Sequence, residues 1–123
     1  MAKETWTLTI PGLPVNLNQI RHATWQQPRA MKQEKTELAQ GLALQQGRHP
    51  SMPWDNVALT ATFGIKGARH RDLDNLSLKG FIDGIVHAGI LTSDTMQVIK
   101  RISVGWEKSD EFYTRITIEP SDD

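Results

Sequence analysis

Apolar residues recur along this chain at two different periods. Trp6, Leu8 and Ile10 alternate with Thr5, Thr7 and Thr9, the pattern of a strand with one buried face. Pro11-Gly12-Leu13-Pro14 ends it. Residues 15–28 keep no sustained period and hold Asn16, Asn18, Arg21, His22 and Trp25, so they read as a long loop. From about residue 29 to residue 46 the period becomes helical. Met31, Leu38, Leu42 and Gln45 fall on one side with Ala39 and Ala43 beside them, and Gly47 and Pro50 stop the helix. Val57, Leu59, Ala61, Phe63 and Ile65 restore the period of two. Leu78, Phe81, Ile82 and Ile85 then follow at i, i+3, i+4 and i+7, a short amphipathic helix closed by Gly89. Residues 90–96 form a second loop. Val98, Ile102, Val104 and Trp106 share a face of a third strand, Lys108-Ser109-Asp110 makes a tight turn, and Phe112, Thr114, Ile116 and Ile118 mark a fourth.

The order is therefore β-α-β-α-β-β, an α/β (α+β) domain spanning residues 1–123, with a mixed sheet of about four strands and two main helices. Strand–helix–strand units favour parallel neighbours joined by right-handed crossovers, and the last two strands are expected to pair as an antiparallel hairpin. No internal repeat or domain boundary interrupts the chain.

Between the second strand and its helix lies Arg69-His70-Arg71-Asp72-Leu73-Asp74-Asn75-Leu76. On extended backbone Asp72 and Asp74 point the same way, and two carboxylates held that close repel unless a cation sits between them. All-oxygen ligands suit a hard cation, Mg²⁺ or Mn²⁺. The other reading of such a segment is a helix cap. Asp94, in the loop returning to the third strand, is placed by this topology near the same side of the domain. Three convergent aspartates flanked by basic residues suit metal-assisted phosphodiester hydrolysis, with Asn75 orienting a ligand and a nearby lysine steadying the phosphate. His22, His49, His70 and His87 show no ligand spacing, and no P-loop or dinucleotide fingerprint appears.

Composition narrows the partners. The 123 residues hold no cysteine, which excludes disulfides and thiolate zinc sites and fits a reducing interior. No apolar run approaches a membrane span and the start shows no signal peptide, so a soluble, cytoplasmic protein without a membrane partner is expected. Fourteen basic and fourteen acidic residues cancel. Any nucleic acid must then be met by a local basic face, for which Lys66, Arg69, His70, Arg71 and Arg21 are the candidates.

Arg-Asp-Leu-Asp-Asn-Leu at 71–76, the nearby Lys79, Phe81-Ile82-Asp83-Gly84-Ile85, Ala88-Gly89 and Asp94 ahead of Gln97-Val98 together resemble the RusA family of Holliday junction resolvases. Pro11-Gly12-Leu13-Pro14-Val15-Asn16 is similar to the opening element of that family. The resemblance implies a homodimeric, Mg²⁺-dependent (Mn²⁺ being the other candidate) endonuclease that cuts four-way DNA junctions, encoded by bacteria or phage. It also implies that Asp72, Asp74 and Asp94 are the catalytic metal ligands, that Asn75 supports them, and that Lys79 is the catalytic lysine. Ser93 stands where the family shows a further aspartate, and Lys79 lies one residue farther from Asp74 than the family's lysine. The other class of function open to the chain is a non-catalytic nucleic-acid or phage-assembly binding module that retains the fold.

Overall fold

The computed structural model describes residues 4–17, 26–47, 50, 53–67, 73 and 76–121. Its elements, in chain order, are β1 (Trp6–Pro11), β2 (Val15–Asn16), α1 (Gln26–Gln46), β3 (Val57–Ile65), β4 (Leu76–Ser77), α2 (Lys79–His87), β5 (Ile99–Lys108) and β6 (Tyr113–Pro120). The four longer strands form one mixed sheet in the order β1-β6-β3-β5, and the two-residue strands β2 and β4 form a separate antiparallel ladder. This is the mixed α+β architecture with the expected order of main elements.

β3 and β5 are parallel neighbours joined through α2, as a strand–helix–strand unit favours. The expected hairpin is not formed. β5 and β6 both pair with β3, on opposite sides of it. Their connection crosses the end of β3, where Ser109 N–H donates to the Ile65 carbonyl at 3.0 Å. Nearly every residue of β3 is withdrawn from solvent, so placing a strand on each side of it buries more apolar surface than a terminal hairpin would.

The faces follow the alternation, with one exception. Trp6, Leu8 and Ile10 of β1, Leu59, Ala61 and Phe63 of β3, and Ile116 and Ile118 of β6 are buried in one cluster with Phe81 and Ile85 of α2. Burial of each large side chain contributes roughly 1.5–3 kcal/mol. Thr114, fully buried in the same row, donates its hydroxyl to the Gly12 carbonyl at 2.9 Å, which satisfies the group. In β5 the ladder with β3 jumps from Val57↔Ile99 to Ala58↔Arg101, leaving Lys100 as an extra residue. That bulge reverses parity. Ile99 and not Val98 lies on the face of Ile102, Val104 and Trp106, which correspond to Leu59, Ala61 and Phe63 of β3.

α1 begins at Gln26, three residues earlier than expected, because Pro28 falls in the first turn where a missing N–H breaks no helical bond. Its buried stripe is also rotated from the expected side. Thr36, Ala39 and Ala43 are buried, whereas Met31, Leu38 and Leu42 are only partly covered and Gln45 is exposed. Small side chains face α2 because the helices approach closely at its glycines. A Cβ on Gly84 would meet the Thr36 carbonyl, the Ala39 Cβ at 2.8 Å and the Gln40 nitrogen at 2.8 Å. Gly84→Ala is expected to destabilise the fold by about 1–3 kcal/mol despite the better helix propensity of alanine, because backbone atoms of α1 cannot yield locally. Thermal denaturation checks this. A fall in Tm is expected; a rise would show propensity winning and the helix contact to be loose.

The end of α2 is set by Gly89, whose φ of +88° is left-handed. Gly89 N–H donates to the Val86 carbonyl at 3.0 Å and Ile90 N–H to the Ile85 carbonyl at 3.3 Å, the paired bonds of a Schellman motif. This stop delivers the chain into the loop that carries Asp94.

Candidate active site

Two of the sequence-predicted site residues come together. Lys79 is the first residue of α2, and its N–H donates to the Ser77 hydroxyl at 3.4 Å. The apolar stripe Phe81, Ile82 and Ile85 turns into the core, which leaves Lys79 on the open side of the helix with its side chain about half exposed. Its Nζ donates to Asp94 Oδ2 and also pairs with Asp83 Oδ1, one helical turn on, at 3.0 Å. The i+4 contact and the contact across the loop therefore coexist.

Asp94 owes its position to backbone bonds on both sides of it. Upstream, Trp54 N–H donates to the Ile90 carbonyl at 2.9 Å and Thr92 N–H to the Trp54 carbonyl at 3.0 Å. Downstream, Ile99 N–H reaches the Thr95 carbonyl at 2.9 Å. Ser93 and Thr95 share a hydroxyl hydrogen bond of 2.9 Å, and Thr95 N–H donates to Ser93 Oγ at 3.3 Å. The Ser93 hydroxyl thus shapes the local turn around Asp94.

The electrostatics are mutual. The hydrogen bond from Lys79 holds the Asp94 carboxyl below the ordinary carboxylate range. The bonds to Asp94, and then to Asp83, raise the Lys79 ammonium above its ordinary value. At neutral pH both partners are therefore charged. A second lysine enters from α1, with Lys32 Nζ 3.1 Å from Asp83 Oδ2. Lys32, Asp83, Lys79 and Asp94 form an alternating chain with no net charge. Beside it runs a groove of about 250 Å³ lined by Arg29, Lys32, Gln33, Thr36, Asp83 and His87. Lys32 and Arg29 escaped the sequence reading because the helical period of α1 assigned them only to a solvated face.

Asp72, Asp74 and Asn75, with Arg69, His70, Arg71 and Arg21, lie outside the described residues. Of that stretch, Leu73 is partly buried against the core and Leu76 is buried. Among the described residues no three carboxylate, imidazole or thiol groups gather as a metal site. Lys66 is exposed just beyond β3. The loop bearing Asp94 joins the sheet at the other end of that strand, where Val57 N–H donates to the Val98 carbonyl at 2.8 Å. In a parallel unit the chain leaves one strand at its end and enters the next at its beginning. The expected convergence of Asp72 and Asp74 with Asp94 falls on residues outside the described ones, while Lys79, at the start of α2, meets Asp94.

Comparison of the chain with protein-family models and with curated proteins yields no match to either.

The short β2–β4 ladder carries a link that the sequence reading missed. Asn16 pairs with Leu76 and Val15 with Ser77, so the opening Pro-Val-Asn element is joined to the end of the Arg-Asp-Leu-Asp-Asn-Leu motif. Two-residue strands leave no periodic trace, but Val15 and Leu76 are both buried apolar residues at the edge of polar segments. A groove of about 350 Å³ lies against this ladder, lined in part by Pro14, Asn16, Glu34, Lys35 and Leu76. No described helix is long and apolar enough to cross a membrane.

Proposed function

We propose that this chain is a divalent-metal-dependent endonuclease that resolves four-way DNA junctions in recombination and repair, acting as a homodimer in the cytoplasm of a bacterium or of a phage-infected cell. The observation that carries the reading is the contact of Lys79 with Asp94, a lysine and an aspartate from separate elements that the motif resemblance independently names as partners in one site. The donor chemistry fits a hard cation. Asp94 is held anionic, and its Oδ2 already accepts an ammonium. Asp72, Asp74 and Asp94 would hold Mg²⁺ or Mn²⁺, which supplies a more acidic attacking water and neutralises charge on the phosphate.

The remaining steps belong to the side chains. Lys79 stays protonated and half exposed, so a DNA phosphate competes with Asp94 for its three donors. Asp83 keeps the ammonium from swinging away, and Lys32 shares the Asp83 charge so that Lys79 is not held too tightly. Arg29 and Lys32 along the neighbouring groove extend the positive surface. Lys66, Arg69, Arg71, Arg21 and His70 form the proposed DNA face, with Asn75 orienting a carboxylate. A four-way junction has two-fold symmetry and must be nicked twice, which calls for two copies of a chain with a single carboxylate cluster.

The test is a labelled synthetic four-way junction incubated with Mg²⁺, beside matched linear duplex. Nicks in the junction alone, absent with a chelator, are expected. Tight junction binding without nicks in either metal would instead assign the chain to the non-catalytic binding modules.

A further inference from the structure

β5 is an edge strand. Among the described residues no strand pairs with its side away from β3. Its helix-side face continues the core row of β3, yet the helices do not reach over it, and Ile102, Val104 and Trp106 are 50%, 47% and 56% exposed. An open edge that also presents three large apolar side chains is a surface that proteins ordinarily cover.

The order of residues on this strand identifies the cover. Antiparallel self-pairing centred on Val104 sets each residue of 101–107 opposite a chemical complement. Val104 meets its own copy and Ile102 meets Trp106, which closes the apolar face. On the other face Ser103 meets Gly105 without steric conflict, and Arg101 meets Glu107 at each end. Lys100 and Lys108 would meet like with like, but the bulge at Lys100 ends the regular ladder before that pair. One oxygen of Glu107 is engaged within its own chain. Tyr113 reaches across Gly64 to donate to Glu107 Oε1, and Arg115 donates to the same oxygen at 2.6 Å. These bonds hold Glu107 below its ordinary carboxylate range, so it is charged at neutral pH. Arg101 has a partner within its own chain and enough donors to serve a second carboxylate.

We infer that β5 pairs antiparallel with β5 of a second copy, with Val104 on the two-fold axis, to give a continuous eight-stranded sheet. This deepens the two-fold reading given above by assigning its surface. An unrelated extended peptide would need no such self-complementarity, whereas an isologous contact requires every pairing to be reciprocal.

Because the chain has no cysteine, Val104→Cys installs a single thiol on the axis. Opposed residues in an antiparallel pair have Cα atoms about 4.5–5.5 Å apart, within the span of a disulfide. Mild oxidation of Val104→Cys is expected to convert the majority of the protein to a disulfide-linked dimer on a non-reducing gel. Ile102→Cys, whose two copies would lie roughly 13 Å apart along the ladder, is expected to stay uncrosslinked. Val104→Lys sets two ammonium groups face to face and is expected to sediment as a folded monomer at micromolar concentration. Wild type that sediments as a dimer while Val104→Cys fails to crosslink would overturn this surface and leave the two-fold reading standing. Monomeric wild type would overturn both.

Discussion

Asp94→Asn is expected to leave four-way junctions bound and uncut, with cleavage reduced by about 10³-fold or more, the upper scale for loss of one group that acts on transition-state charge. The amide keeps the size of the side chain and one oxygen, but it lacks the charge that a hard cation requires. Loss of the Lys79 pair costs little in stability, because both partners are substantially exposed and such pairs contribute below about 1 kcal/mol each. Junction affinity in chelator should hold or rise, since one carboxylate no longer repels phosphate. Parallel gel-shift and cleavage assays separate the two quantities. Cleavage by Asp94→Asn at the wild-type rate would remove Asp94 from the site, whatever its contact with Lys79.

Lys79→Ala is expected to lower cleavage at least ~100-fold with little change in Tm, the signature of a charge used on the phosphate and not in the fold. Asp83→Ala supplies the contrast. Asp83 is well covered and receives both Lys32 and Lys79, so its loss is expected to cost stability on the order of 1 kcal/mol. Cleavage should fall by no more than about tenfold, because Asp94 still positions Lys79. A helix-surface role for Lys79 would produce the opposite pattern. Lys79→Ala would then cut normally, and any effect would appear in Tm alone.

Much of the architecture was legible because the two periods report different things about burial. Trp6-Leu8-Ile10 and Phe81-Ile82-Ile85 each declared both an element type and its inward face. A period names a face and not a neighbour, so nothing in residues 99–120 announced that β3 would separate β5 from β6. The bulge at Lys100 reversed parity inside a strand that reads as regular. The packing of α1 against α2 was hidden for a different reason. That contact is made by the smallness of Gly80, Gly84, Ala39 and Thr36, and a hydrophobic pattern weighs bulk.

The candidate site was legible to the extent that its chemistry is written in residue types. Lys79 and Asp94 were named from the motif, and they meet. Lys32 was not, because its role depends on which face of α1 lies against Asp83, a tertiary fact. Asp83 was named only within the Phe81–Ile85 motif, yet the Lys79 ammonium serves it and Asp94 alike. A single lysine serves two acceptors where both lie within reach of its flexible four-carbon stem.

The most direct test of the account is the fate of a supercoiled plasmid that extrudes a cruciform, incubated with the wild-type protein and Mg²⁺. Two coupled nicks across the junction convert the plasmid to a linear product, whereas a single nick leaves an open circle. Linear plasmid is expected as the main product, abolished by chelator and by deletion of the cruciform. Persistence of supercoiled plasmid in both Mg²⁺ and Mn²⁺, with the protein demonstrably bound to the cruciform, would contradict it.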